Sequence, residues 1–281
     1  MNYCGAARAL SWIRFTDVPS EPAQAHLEGA RVLVTRPAHQ ADALVHLIET
    51  EGGEAIRLPT IEIAPPTDPA GLDAVLKRWA DFHLVIFVSP NAVRAALPRL
   101  RAFGFPPRMP CAAVGQATQQ ALRAEGFENV LAPSASFDSE ALLELLPAAR
   151  VAEKNILIVR GTGGRALLDE SLSARGARVS HAECYQRLPP RQPDSAALTR
   201  LLRGEIDIIS ITSVEGLRNL YALVAPPERG RLLATPILVV GERQAQAGRE
   251  LGFKSIQVAL RASDTAILEA LRTWRVSRNS I

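Results

Sequence analysis

Two copies of one pattern run through the chain. Arg31-Val-Leu-Val-Thr-Arg36-Pro37 returns as Asn155-Ile-Leu-Ile-Val-Arg160-Gly161, 124 positions later (155 against 31), and Leu84-Val-Ile-Phe-Val-Ser89 returns as Ile208-Ile-Ser-Ile-Thr-Ser213 at the same spacing. Ala113-Val-Gly115 pairs with Val239-Val-Gly241, and Glu125-Gly126-Phe127 with Leu251-Gly252-Phe253, both 126 positions apart (239 against 113). A period this long marks a duplicated domain rather than a solenoid, whose units run about 20–45 residues. The 281-residue length agrees, since roughly 150 residues per domain gives about two. With 47% hydrophobic and 22% charged residues, both copies have the apolar content for packed cores, which excludes disordered and collagen-like chains.

Within each copy, short Val/Ile/Leu runs alternate with stretches of helical periodicity, the pattern of βαβ units and a parallel sheet. The first copy predicts strands near 31–35, 55–57, 84–88, 111–114 and 128–131. Helices fall near 38–51, 69–79, 90–101, 116–125 and 138–146. The second predicts strands near 155–159, 177–180, 207–211, 236–240 and 255–258. Leu58 to Pro65 and Ala182 to Pro189 sit at equivalent places, extended and ended by prolines, and read as linker strands. If each leaves one globule for the other, the globules are not the sequence halves. Domain 1 is then 28–60 plus 188–281, domain 2 is 61–187, and the linkers lie near 58–65 and 182–189. Residues 1–27, where Arg8 and Arg14 interrupt the apolar residues, read as an N-terminal extension and not as a signal peptide.

Charge excludes more than it identifies. Thirty-two basic against 29 acidic side chains leave a formal charge of +3, too small and too scattered for a nucleic-acid binder. Cys4, Cys111 and Cys184 are odd in number and far apart, which argues against a disulfide framework and for a reducing cytoplasm. No apolar run approaches the roughly 18 residues of a membrane helix. Histidines 26, 39, 46, 83 and 181 show no metal spacing, and no Gly-x-Ser-x-Gly elbow occurs. His39 and His46 read as solvent-side.

The turns that follow the strands carry the chemistry. Ser89-Pro90-Asn91 opens a helix with a natural N-cap and a proline at its first position. In the second copy Thr212-Ser213-Val214-Glu215 takes the same place and spells a capping box. Gly115-Gln-Ala-Thr118 adds a glycine that lets backbone approach a ligand and a hydroxyl one turn on. Together these form a ring of neutral donors and positive helix ends at the ligand-binding edge of a sheet, suited to anions. Each alone is also a good cap and nothing more. Gly161-Thr-Gly163-Gly164-Arg165-Ala166 imitates a dinucleotide fingerprint, but the matching turn of the first copy, Pro37-Ala38-His39, has no glycine. Tyr185, one of three tyrosines, lies in the second linker, where its phenol would face an interdomain cleft. It would serve either as a proton donor or as a ring packed with its hydroxyl in water.

Taken in order, Thr35-Arg36-Pro37, Phe87-Val-Ser89-Pro-Asn91-Ala-Val93, Ala113-Val-Gly115-Gln-Ala-Thr118, Arg160-Gly-Thr-Gly-Gly-Arg165 and Tyr185-Gln-Arg187 resemble the uroporphyrinogen-III synthase family over roughly residues 30–272. The resemblance implies an α/β architecture of two flavodoxin-like parallel-sheet domains, related by duplication and joined by a two-strand linker. It implies a cofactor-independent lyase of haem biosynthesis that closes hydroxymethylbilane, a linear tetrapyrrole with eight carboxylates, to uroporphyrinogen III. Water is lost and the last pyrrole ring is inverted, the enzyme acting mainly by orientation. On this match Tyr185 donates a proton to the leaving hydroxyl. Ser89, Asn91, Gly115, Thr118, Gly161, Thr212 and Ser213 bind substrate, with Arg36, Arg160 and Arg165 as secondary candidates. No cofactor, metal, nucleic acid or membrane is implied. A cytoplasmic monomer is, with a transient contact to the preceding pathway enzyme. Gln244 stands where the family usually has a hydroxyl, and Val88 where it usually has threonine. The alternatives are a non-catalytic two-domain sensor that clamps an anionic small molecule and a nucleotide-dependent oxidoreductase.

Overall fold

A computed structural model describes residues 26–134, 138–164 and 166–279. The N-terminal extension, apart from His26 and Leu27, and Arg165 lie outside the described residues. Eleven strands are described: β1 (Arg31–Val34), β2 (Glu54–Arg57), β3 (Glu62–Ala64), β4 (Leu84–Phe87), β5 (Cys111–Ala113), β6 (Val130–Leu131), β7 (Asn155–Gly161), β8 (Arg178–Leu188), β9 (Ile208–Ile211), β10 (Ile237–Val239) and β11 (Ile256–Val258). They form two sheets. One runs β11-β10-β9-β1-β2 and is parallel throughout; the other runs β3-β8-β7-β4-β5-β6 and is parallel except for β3.

The order of both sheets follows from the duplication. Numbering the strands of a copy one to five, each sheet reads 2-1-3-4-5, the flavodoxin-like order. Each takes its first two strands from one copy and its last three from the other: β1 and β2 join β9 to β11, whereas β7 and β8 join β4 to β6. Registers agree as well. Arg31 faces Glu54 as Asn155 faces Arg178, and Val32 faces Ile208 as Ile156 faces Leu84. Val85 faces Cys111 as Ile209 faces Ile237. Such agreement is expected of two copies that kept one side-chain alternation, because a one-residue slip would turn every side chain to the opposite face.

Both faces of each sheet are buried, which is why the strands read as unbroken apolar runs. Leu33, Ile209, Ile211, Ile237 and Val239 pack on one face of the first sheet, and Val32, Val34, Ile208 and Leu238 on the other. In the second sheet Val85, Phe87, Leu157 and Val159 oppose Ile86, Ile156 and Ile158 in the same way. One exception falls at the position of Ile86 in the second copy, where Ser210 is fully buried and its hydroxyl finds no hydrogen-bond partner.

Several sequence expectations are corrected. The helix expected over 69–79 ends at Leu76, and a short 3-10 turn, Trp79–Asp81, follows. The helix expected over 138–146 splits into Ser139–Glu144 and Ala148–Val151, with Pro147, whose nitrogen has no proton to donate, at the break. The strand near 177–180 and the linker near 182–189 are one strand, β8. Its first part pairs parallel with β7, and Gln186 to Leu188 pair antiparallel with β3.

Candidate active site

In a parallel sheet, ligands gather at the carboxyl ends of the strands, and there the second sheet is irregular. Arg160 of β7 faces Glu183, but the next residue, Gly161, faces Tyr185. Cys184 is the extra residue of a β-bulge, a device that re-aims a neighbouring side chain, and its thiol donates to the Arg160 carbonyl at 3.3 Å. Tyr185 is thereby laid against Gly161. A β-carbon on Gly161 would stand 2.6 Å from the Tyr185 Cζ and 2.7 Å from Cε2, so only glycine admits the ring. The Thr162 amide donates to the Tyr185 carbonyl at 2.9 Å and fixes the strand behind it.

The ring is packed and its hydroxyl has a protein partner. Tyr185 is 3% exposed, and its oxygen lies 3.1 Å from Ser89 Oγ. Ser89 precedes the helix Pro90–Ala102 in extended backbone and caps it, accepting the Ala92 amide at 3.1 Å. A serine hydroxyl keeps a second lone pair and its own proton, so either oxygen can donate to the other, and when Ser89 donates the Tyr185 proton is left for a third partner.

A cavity of about 470 Å³ opens at this point, lined among others by His39, Asn91, Arg94, Ile63 and Tyr185. It draws on four segments: the helix Ala38–Thr50, β3 with the prolines after it, the helix Pro90–Ala102, and β8. Arg94 lies one turn after Pro90, exposed on the cavity wall and in no ion pair among the described residues. Sequence reading passed over it, although its spacing from Asn91 puts both on one face of the helix. It also passed over Gln40, whose Nε2 donates to Asn91 Oδ1 at 2.9 Å, and over any contact of His39, whose Nε2 lies 2.9 Å from the same oxygen.

The remaining candidates sit at the ends of other strands. Gly115 precedes the helix Gln116–Ala124 in extended backbone, and Thr118 on its first turn is buried. In the first sheet, Ser213 caps the helix Val214–Leu223 by accepting the Gly216 amide at 2.9 Å. The expected capping box is corrected: Ser213, not Thr212, is the cap, and the Glu215 carboxylate reaches Arg187 of β8 at 3.0 Å. Gln244 folds back over the Gly241 turn, its Nε2 directed at the Thr212 carbonyl at 3.5 Å. Arg36 is taken up by an ion pair with Asp264 at the start of the last helix, Asp264–Asn279. Arg160 pairs with Glu183 at 3.1 Å while its Nε is buried without a partner. These are structural ties on both arginines before any ligand arrives. Between the two sheets, His39 and Gln40 bond Asn91, and Glu215 bonds Arg187 of β8.

Comparisons with known proteins agree with this architecture. A family model described as uroporphyrinogen-III synthase HemD matches residues 42–269. The uroporphyrinogen-III synthase of Escherichia coli (strain K12) is 36% identical over 244 residues, covering 86% of this chain and 99% of that protein. That of Synechococcus elongatus is 35% identical over 207 residues, 72% of this chain and 78% of that protein. Among solved structures, a variant of uroporphyrinogen III synthase from the extremely thermophilic bacterium Thermus thermophilus superposes with a TM-score of 0.57 at 20% identity, covering 90% of this chain and 100% of that one. The enzyme from Helicobacter pylori 26695 gives 0.58 at 17% identity, with 87% and 99% covered; at such identities the likeness is one of fold. With a family model over most of its length, relatives more than one third identical and two sheets built by exchange of duplicated strands, the chain belongs to the uroporphyrinogen-III synthase family.

Proposed function

We propose that this lyase of tetrapyrrole synthesis closes hydroxymethylbilane with inversion of the last ring at the cavity beside Tyr185. The observation that carries the reading is Tyr185, a buried residue on the wall of that cavity whose hydroxyl lies 3.1 Å from Ser89 Oγ. Tyr185 gives its proton to the departing hydroxyl, the carbon–oxygen bond breaks as the pyrrole nitrogen pushes electrons toward it, and water leaves. The substituted α-carbon of the last ring attacks the new cation to give a spiro ring, its old bond to the bridging carbon breaks, and that bridging carbon is captured by the ring's free α-carbon, whose proton the phenolate takes back. Arg94, Asn91 and the helix starts at Ser89, Gly115 and Ser213 hold carboxylates. These are mostly neutral donors and partial charges, which bind many anions without a dense cationic cluster.

The exchange of strands between the sheets supports domain limits of 28–60 plus 188–281 for one domain and 61–187 for the other, with linkers near 58–65 and 182–189. A cytoplasmic monomer without a cofactor, in transient contact with the preceding pathway enzyme, completes the reading. Cys111 and Cys184 are both buried free thiols whose pKa is pushed up to about 12 by desolvation, so they lack the exposed thiolate character of redox-active cysteines. No described helix is long and apolar enough to cross a membrane.

The test is Tyr185→Phe in an assay that separates inverted from uninverted product. The variant is expected to form the inverted isomer about tenfold more slowly or worse, since a positioned acid contributes about a hundredfold or above. An unchanged initial rate would remove the acid role.

A further inference from the structure

An asparagine amide offers one oxygen that accepts and one nitrogen that donates twice. Which end meets a ligand depends on what holds the other. Asn91 Oδ1 lies 2.9 Å from Gln40 Nε2 and 2.9 Å from His39 Nε2, both on the first turn of the helix Ala38–Thr50. The oxygen cannot donate, so both nitrogens donate to it, which fixes His39 as the Nε2–H form. The 3.2 Å approach of the two nitrogens to each other is then a consequence of the shared acceptor. Both lone pairs of Oδ1 are used. The Asn91 Nδ2 makes no hydrogen bond among the described residues, and Asn91 lines the cavity together with Tyr185 and Arg94.

We infer that His39 and Gln40 are positioning residues for the reaction: they hold the Asn91 oxygen so that its two N–H groups are presented to a substrate carboxylate, and in doing so they tie the first sheet's helix over the cavity. The assignment rests on the proposed function, in which Asn91 holds a carboxylate, and names the residues that orient it. Without the two donors, the Asn91 amide rotates freely and presents its oxygen as often as its nitrogen, and an oxygen repels a carboxylate. His39 is exposed and Gln40 half-buried, so their loss costs the fold little.

The experiment measures kcat, KM and isomer ratio on hydroxymethylbilane for the intact protein, His39→Ala with Gln40→Ala, and Asn91→Asp, with a thermal melt of each. The double variant is expected to raise KM about tenfold, the cost of one well-placed hydrogen bond to a charged group. Its kcat should stay within about threefold and its melting temperature should not move. His39→Gln, which keeps a donor at that site, recovers part of the loss. Asn91→Asp is the sharpest arm, because it keeps both acceptors for His39 and Gln40 and replaces the free donors by a negative charge; its KM rises by at least as much. An intact protein that inverts the ring, beside a double variant of unchanged KM, would overturn the inference alone. So would Asn91→Asp with the intact protein's KM. An intact protein that inverts nothing would overturn the functional reading, and the inference with it.

Discussion

The Tyr185 hydroxyl and Ser89 Oγ lie 3.1 Å apart, and the same serine oxygen closes the first turn of the helix Pro90–Ala102. One side chain therefore does two things: it ends a helix and it orients a phenol. Ser89→Ala should show both effects separately. Loss of the cap lowers the unfolding free energy by about 1 kcal/mol. Loss of the phenol's partner slows ring closure by about fivefold, the worth of one ordinary hydrogen bond. Denaturant titration and initial rates read the two effects, and a variant with a weakened fold and an undiminished rate would show that Tyr185 is oriented by its packing alone.

Gly161 holds the other side of the same ring. Gly161→Ala sets a methyl carbon inside the ring's contact distance, so the phenol must move off Ser89. Overpacking of this kind costs about 1–3 kcal/mol, and the rate should fall toward that of Tyr185→Phe. In a Tyr185→Phe background the alanine should slow the reaction little further, because residues that act as a unit do not add. Fully additive losses would separate the two residues.

Ser210 predicts a gain. Its hydroxyl is buried without a partner in a strand where the other copy carries Ile86. Ser210→Ala removes a desolvated polar group and should raise the unfolding free energy by about 1 kcal/mol, seen in calorimetry as a rise of roughly 2–4 °C in the melting temperature. A fall of that size would mean that the hydroxyl is satisfied in solution.

His181 makes stability depend on pH. Burial, followed by the neighbouring Arg160 guanidinium, holds its imidazole below the usual 6.5, against an upward pull from Asp169 and Glu183. The unfolded chain thus takes up a proton near pH 6.5 and the folded chain only at lower pH. Between those values the unfolded state binds more protons, so stability is complete above about pH 6.5 and falls as the pH drops through the folded value. Denaturation midpoints measured from pH 7.5 down to 5 should decline more steeply for the intact protein than for His181→Gln. Parallel profiles would contradict this.

Much of the molecule was readable in the chain because its cues are local or repeated. The 124-residue offset announced two copies, and the caps at Ser89 and Ser213 were visible as serines between an apolar run and a helix. What the sequence hid depends on tertiary placement. The bulge at Cys184 cannot be seen in a strand that reads as one extended run, so neither the burial of Tyr185 nor the need for glycine at 161 could be foreseen. The strand expected near 177–180 and the linker near 182–189 read as separate segments, whereas β8 runs on through both up to Pro189. His39 lies on a polar face and is exposed, as expected; its bond to Asn91 joins residues 52 positions apart (91 against 39) on separate sheets' helices, and periodicity carries no trace of it. Arg94 and Gln40 were overlooked because an arginine or glutamine on an exposed helix turn has no local signature.

The measurement that bears most directly on the central claim is the ratio of isomers formed from hydroxymethylbilane with and without this protein. Left alone, the bilane closes to the uninverted macrocycle. With the protein present, the inverted isomer, uroporphyrinogen III, should dominate at early times, and Tyr185→Phe should return the mixture toward the uninverted product. The same uninverted product at the same rate, with or without the protein, would contradict the account.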